Sequence, residues 1–423
     1  MEQSKDIYKK SRVLYIISAA LEYFISILTG SAYLAKVAGY IGISDGTVGV
    51  LSSFVALGCA FQIVSLAMRT DKPVKRMVTL INLANQLCFT LLYVIPIVDL
   101  PKNIKTGIFI LLLLSGNVLL NIPFSPKVTW SRTLIPDEKR GVFSAKCEMT
   151  SLISGMIFTT VAGRVIDTFE ARGNQEEAFI VCGITLFVLT ISHALCLIFM
   201  KETKRSERSD STSLGERLKM AITDRSTLTL IPVFVLWNMA LYVIIPFSGT
   251  YQLNELSLSM SAISLISVAY AIVRSLVSVP LGMLGDKHSF IKSMSLSLCA
   301  MAVGLVVNSL GGRVCFIIFY VLYAITLAGT NSGIMNLIFD YVPKEKRTGA
   351  VAILYTIGGL VGFFSTLLAK PLVDTVQANG NRFLFIDSIY AQQILSVISA
   401  LLTLATLLYI NTFVKRLTKA KNL

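Results

Sequence analysis

Two ionisable side chains of this 423-residue chain stand deep inside long apolar runs: Glu22 and Arg274. Glu22 lies about ten residues into the first run, roughly 15 Å along a helix rising ~1.5 Å per residue. It belongs to a polar row, Tyr15, Ser18, Glu22, Ser26, Thr29 and Tyr33, with steps of three and four. That spacing puts all six on one helical face, which must look into a wet cavity or a protein interior. Carboxyls at such depth are costly and mark proton relays and ion paths, so Glu22 is the candidate proton-coupling group. A neutral or hydrogen-bonded packing glutamate is the plainer alternative. Arg274, with Ser267, Tyr270 and Ser278 at helical spacing, does not give up its proton. It needs a counter-charge, either Glu22 or an anionic group on a substrate; a static buried ion pair is the alternative.

Neutral groups extend the candidate binding set. Asn117, Asn121 and Ser125 recur every four residues, and Asn238 and Tyr242 share a face next to Trp237. Tyr270 and Tyr355 complete it, with Asn331, Asn336 and Thr356 as further polar positions in apolar runs. Such groups hydrogen-bond a solute or a neighbouring helix, packing being as good a reading as binding. Glu148 is expected to pair with Lys146, Lys127 or Arg132. Gly358-x-x-x-Gly362 and Ser151-x-x-x-Gly155 permit close helix approach. The seven cysteines are scattered singly, without metal-ligand spacing or a disulfide framework. No P-loop, H-E-x-x-H or G-x-S-x-G motif occurs. Neither enzymatic chemistry, a metal nor a cofactor is expected.

The elements that must position these residues are membrane helices. The chain is 54% hydrophobic and 15% charged, against about 25% charged in soluble domains, and its mean hydropathy is +0.71. Apolar runs long enough to cross a bilayer as helices recur throughout and do not alternate as barrel strands would. We read twelve spans, roughly 13–37, 46–68, 77–98, 104–128, 141–167, 177–200, 226–252, 260–284, 291–309, 313–338, 348–374 and 386–413. The fold class is therefore an all-α membrane protein. The net charge of +14 lies in the loops, which removes the case for a nucleic-acid partner. With the N-terminus cytoplasmic, 29 of the 38 Lys and Arg fall on the inner side and eight on the outer, Arg274 being within a span. That asymmetry places both termini in the cytoplasm. The first run is too long for a signal-peptide core and is expected to remain in the protein.

Lys201–Arg225 is the one long hydrophilic stretch, read as a cytoplasmic tether with a short amphipathic segment at Leu214–Ile222. It divides the chain into a six-helix bundle at 1–200, a linker at 201–225 and a second bundle at 226–423. The halves repeat each other. Pro136-Asp-Glu-Lys-Arg140 follows span four and Pro343-Lys-Glu-Lys-Arg347 follows span ten, and the same shift of 207 lands Gly155 on Gly362 and Asp167 on Asp374. A shift of 215 matches Asp71-Lys72 with Asp286-Lys287.

With these loops in register, the whole chain resembles the major facilitator superfamily. That family's motif after its second helix runs G-x-x-x-D-R/K-x-G-R/K-R/K. Ala67-Met-Arg-Thr-Asp71-Lys72-Pro-Val-Lys75-Arg76 keeps the acid and the three basic positions without the glycines, and Gly282-Met-Leu-Gly-Asp286-Lys287 keeps the front of the motif. An acid followed by P-x-x-x-R is complete at Asp340-Tyr-Val-Pro343-Lys-Glu-Lys-Arg347, whereas Thr133 replaces the acid in the first half. The resemblance implies two pseudo-symmetric six-helix bundles and transport by alternating access, with the first and eighth helices lining a central cavity. Asp71, Lys75, Arg76, Arg140, Gly282, Asp286, Lys287, Asp340 and Arg347 would form the cytoplasmic gate, with snorkelling charges as the plainer reading. His193 falls on a span that the family places at the periphery, so a satisfied structural histidine is expected.

The expected function is secondary active transport of a small polar or amphipathic organic solute, with an anionic or zwitterionic group to match Arg274. It would be proton-coupled, as symporter or antiporter, in a monomer embedded in a bacterial cytoplasmic membrane. Export of amphipathic drugs or lipids is the alternative in the same class, although span four lacks the arginine, and span five the G-P-rich motif, of many drug antiporters in the family. A non-transporting receptor is the alternative from another class.

Overall fold

Apolar segments can enter hydrocarbon only with their backbone polar groups paired internally, which for single segments means helices. The computed structural model describes residues 8–67, 73–135, 140–202, 215–216, 219, 222–383 and 386–417 and is helical almost throughout. Among the described residues, eleven helices are long and apolar enough to cross a membrane. The chain is an integral multi-pass membrane protein.

The first two expected spans are interrupted. Span one divides into α1 (Lys9–Leu28) and α2 (Ser31–Ile41), because Ser31 takes the left-handed region at φ 47°, uncommon outside glycine. The six-residue polar face is therefore not continuous: Tyr33 lies beyond the break. The hydroxyls of Ser18, Ser26 and Thr29 donate to the carbonyls of Tyr15, Tyr23 and Ile25 on their own helix, a local pairing common for such residues. Span two forms three short helices, α3 (Asp45–Ser52), α4 (Phe54–Ala60) and α5 (Gln62–Ala67). Span three forms α6 (Lys75–Leu92). This is the expected span that falls short of membrane-spanning hydropathy, since it opens on Lys75-Arg76 and carries Asn82, Asn85 and Gln86. Each of those three amides is 1% exposed, so the polarity of α6 is turned into the protein.

The chain then continues through α7 (Lys102–Asn121), α8 (Phe124–Thr133), α9 (Arg140–Ala171) and α10 (Gln175–Phe199). In the second half run α11 (Arg225–Ile244), α12 (Met260–Lys287), α13 (Phe290–Ser309), α14 (Arg313–Tyr341), α15 (Arg347–Ala378) and α16 (Ala391–Thr412). Two compact units result: Met1–Ile41 with Phe61–Ser211, and Gly42–Ala60 with Thr212–Leu423.

In the first unit α1 packs on α9 and α10, and α6 packs on α7 and α10. In the second, α11 packs on α15 and α16, α13 on α14 and α16, and α12 on α14. The glycines matched by the repeat have the same use in both units. A Cβ on Gly155 would stand 2.3 Å from the Tyr23 ring of α1, and one on Gly362 would stand 2.6 Å from the Tyr242 ring of α11. The fifth helix of each half thus comes close to the first across a glycine under a tyrosine.

The segment Gly42–Ala60 packs with the second unit, although the sequence places it in the first bundle. Small residues explain the fit: a Cβ on Gly49 would lie 2.1 Å from the Phe247 ring, and one on Gly46 would lie 2.2 Å from Asp374 Oδ1. Polar bonds tie down the same end. Asn254 Nδ2 donates to both carboxylate oxygens of Asp45 at 2.8 and 2.9 Å, and Gln377 Nε2 donates to Asp45 and Glu255 at 2.8 and 3.2 Å.

Most of the expected linker, including most of its amphipathic segment, lies outside the described residues, but both of its ends act as helix caps. Glu202 accepts from the backbone N–H of Val74 and Lys75 at the start of α6. Asp224 accepts from Thr227 N–H at 3.0 Å and pairs with Lys346 at 3.2 Å. A carboxylate at a helix N-terminus satisfies unpaired donors and meets the positive end of the helix dipole. Asp224→Ala is expected to cost ~1–2 kcal/mol, and Asp224→Asn less, read as detergent-solubilised melting temperatures. Equal melting of both variants and the parent would remove the cap from the account.

Candidate functional site

Four of the eight expected substrate residues converge in the second unit. Trp237, Asn238 and Tyr242 from α11 and Tyr355 from α15 line a cavity of about 210 Å³. Phe234, Leu241, Asn331 and Ile334 complete the aromatic and amide walls, and Ala56, Cys59 and Gly359 close one side. Phe234 was not singled out in the sequence, where it reads as one more apolar residue; its spacing of four from Asn238 was the available signal. Cys59 read as a structural thiol, and only the fold brings it here.

Glycines set the width of this cavity. A Cβ on Gly358 would lie 2.6 Å from Asn238 Nδ2, and one on Gly359 would lie 2.5 Å from the Ala56 carbonyl oxygen. Asn238 Nδ2 donates to Phe234 O at 2.8 Å, which fixes the carboxamide plane. Phe234 and Tyr355 meet edge to face with centroids 5.5 Å apart. Such a cavity stacks and encloses flat or apolar groups and offers amide and phenol hydrogen bonds.

Arg274 and Tyr270 do not line this cavity. The rings of Tyr270, Tyr320 and Tyr323 cluster with centroids 5.2–6.0 Å apart. Tyr323 lies within electrostatic reach of both Arg274 and the cavity residue Tyr242. Arg274 forms no ion pair among the described residues, and its Nε is buried without a hydrogen-bond partner. The alternative of a static buried ion pair finds no acidic partner among the described residues.

Asn117 and Asn121 are buried in the first unit. Their amides donate to Leu113 O and Asn117 O at 2.8 and 2.9 Å, and Gln62 Nε2 donates to Asn121 Oδ1 at 2.9 Å. The first two bonds stay within α7, and the Gln62 bond joins α5 to α7.

Glu22 has a partner the sequence did not single out for it. Lys127 Nζ on α8 donates to Glu22 Oε2 at 2.6 Å, with the two side chains 17% and 31% exposed respectively. Lys127 had been one of three expected partners of Glu148, which instead stands on an exposed part of α9. His193 also differs from expectation. It is 1% exposed, its Nδ1 lies 2.8 Å from Gln86 Nε2, and its Nε2 is buried without a partner.

Of the expected gate, Asp71 lies outside the described residues, as does the side chain of Arg140. Lys75 opens α6 and donates its backbone N–H to Glu202; Arg76 is exposed. Asp286 and Lys287 are exposed at the end of α12, and a Cβ on Gly282 would meet nothing within 4 Å. Arg347 donates to the carbonyls of Phe339 and Val342 at 2.6 and 3.0 Å, and its guanidinium stands 5.4 Å from the Phe339 ring centroid. A cation on the last carbonyls of α14 complements the negative end of that helix. Asp340 is half-buried on the same turn. Thr133, its counterpart in the first half, donates to Trp130 O at 2.7 Å.

Comparison with curated proteins finds no match. Among solved structures, a point mutant of the nucleoside transporter NupG superposes with TM-score 0.75 at 13% identity, covering 95% of this chain and 100% of that one. An auto-inhibited POT family peptide transporter gives TM-score 0.69 at 12% identity, covering 98% of each chain. A D-xylose-proton symporter gives 0.60 at 13% identity, covering 94% and 96%. At these identities the likeness is one of fold. The sequence profile of the Major Facilitator Superfamily matches residues 15–261 and 240–421, nearly the whole sequence. Duplicated loops, the helical spans and this match agree: the chain belongs to the Major Facilitator Superfamily.

Proposed function

We propose that the protein is a secondary active transporter that moves a small amphipathic organic solute by alternating access, coupled to protons through Glu22. The observation that carries the coupling is the Glu22–Lys127 ion pair on a membrane-spanning helix. Proton loading on Glu22 neutralises the carboxylate and releases the Lys127 ammonium, so one proton changes two charges' partners. A pair of this kind has two discrete arrangements, which is what a rocking mechanism needs to bias.

The aromatic and amide walls in the second unit support a solute with a flat or apolar body. Arg274, an intramembrane guanidinium without an acidic partner among the described residues, supports an anionic or zwitterionic group on it. Nucleosides, peptides and D-xylose appear in the names of structurally similar transporters, which supports a small organic solute. The aromatic lining also favours amphipathic drugs as the second reading. We place the protein as a monomer in a bacterial cytoplasmic membrane with both termini and the linker inside, and assign gating to Asp71, Lys75, Arg76, Arg140, Gly282, Asp286, Lys287, Asp340 and Arg347.

The test is a thermal-shift screen of purified protein against metabolites and drugs, followed by uptake of the hits into proteoliposomes with and without a pH gradient. Uptake that ignores the gradient would remove the coupling. Arg274→Gln is expected to weaken binding of an anionic hit by about 10- to 100-fold, the loss of one charge-assisted hydrogen bond of ~1.5–3 kcal/mol, and to spare a neutral analogue. Equal weakening of both would return Arg274 to a structural role.

A further inference from the structure

The interior of the first unit between α6 and α10 is polar without being satisfied. Thr79, Asn82 and Gln86 stand at i, i+3 and i+7 on one face of α6 and rise ~10 Å along it. Thr79 lies one turn inside the basic N-terminal end of that helix. Asn82 Nδ2 donates to Val78 O at 2.8 Å, and Gln86 Nε2 donates to His193 Nδ1 at 2.8 Å. With Nδ1 accepting, the proton of the neutral imidazole is on Nε2. Four buried atoms are then left without a protein partner: Thr79 Oγ1, Asn82 Oδ1, Gln86 Oε1 and His193 Nε2. They are four of the ten such atoms among the described residues, gathered on two packed helices.

A buried polar atom left unpaired is costly, so four together would be a heavy burden on one helix pair. Internal water is the usual remedy where several polar atoms converge. The chemistry favours water over a metal cation, because an imidazole N–H among the ligands would repel one. Of the charged groups on the packed helices, those that act on the His193 ring are Glu22 from α1 and Lys127 from α8. From α6 comes the neutral Gln86.

We propose that the Thr79–Asn82–Gln86 face of α6, closed by the His193 N–H, holds a file of water that conducts protons between Glu22 and the N-terminal end of α6. This rests on Glu22 being the coupling group. As Glu22 gives its proton to the nearest water, each water passes one on, the last leaves at the α6 N-terminus, and the carboxylate regains Lys127. His193 is a positioning residue: its N–H orients the file and does not itself change charge. On the charge asymmetry of the loops, the far end of the file opens to the cytoplasm.

The experiment needs no transported solute. Protein in nanodiscs is subjected to a pH jump from a photolysed caged proton, and protonation of Glu22 is followed by its carboxyl C=O infrared band, identified by its loss in Glu22→Gln. Asn82→Leu and His193→Leu are expected to slow the rise of that band at least tenfold without changing its final height, equivalent to ~1.4 kcal/mol on the barrier. His193→Gln, which keeps a donor, and the near-isosteric Thr79→Val separate loss of the file from misfolding: the first should be close to the parent and the second slowed. Equal rates in parent, Asn82→Leu, His193→Leu and Thr79→Val would overturn the file while leaving Glu22 as coupling group. Absence of any titrating band in the parent would overturn both readings. A rate that follows sodium concentration at fixed pH would put a cation in the row and overturn the file alone.

Discussion

Glu22→Gln is expected to abolish accumulation of solute against its gradient while leaving solute exchange across the membrane intact. The amide keeps the size and hydrogen bonding of the carboxyl but carries neither the charge that holds Lys127 at 2.6 Å nor an exchangeable acid proton. Exchange of solute for solute needs only the loaded protein to reorient, whereas uphill uptake needs the proton to be picked up and released. The variant should also be less stable. Removing one partner of a fully buried pair costs ~3–5 kcal/mol and an exposed pair contributes ~1 or less. With side chains 17% and 31% exposed, the loss here should be about 2 kcal/mol, midway between those limits. Adding Lys127→Met removes the stranded ammonium, so the double variant should recover stability without recovering coupling. Uphill uptake by Glu22→Gln at the parent's rate would end Glu22's role; recovery of uptake in the double variant would mean the pair is only structural.

The second large effect is expected at Gly359. A Cβ there would stand 2.5 Å from Ala56 O and 3.3 Å from Ala60 N, both backbone atoms that no side-chain rotation can move away. In Gly359→Val, α4 must therefore shift off α15, taking Ala56 and Cys59, one wall of the cavity, with it. Overpacking of this kind costs ~1–3 kcal/mol, and solute affinity should fall by more than about tenfold, equivalent to ~1.4 kcal/mol. Gly107→Ala is the control, because a Cβ at Gly107 meets open space and should leave melting temperature and binding unchanged. Unchanged affinity in Gly359→Val would detach the cavity from solute binding.

Much of the architecture was legible because the bilayer is a simple solvent. Hydrocarbon thickness sets the length of each apolar run, the cost of burying Lys and Arg sends them to the loops, and a duplicated chain repeats its loop chemistry. The matching of Gly155 to Gly362 could be read by shifting the sequence against itself; that each lies under a tyrosine of its half's first helix could not. Glu22 stood out for the same solvent reason, as a carboxyl where water is scarce.

What the sequence determined by itself was therefore which segments are long and apolar enough to cross the membrane, and which side chains stand out within them. Partners were decided by the tertiary structure alone. Lys127 looked like a loop charge and lies 105 positions from Glu22, yet helix packing joins them. His193 passed for a satisfied packing residue until α6 was laid beside it, and Gly42–Ala60 joined the second unit because its small residues fit the Phe247 ring and α15. The physical reason is common to all three. Burial in lipid depends on a residue's own chemistry and its immediate neighbours, whereas hydrogen bonds and ion pairs of a few ångströms depend on helices brought together from distant parts of the chain.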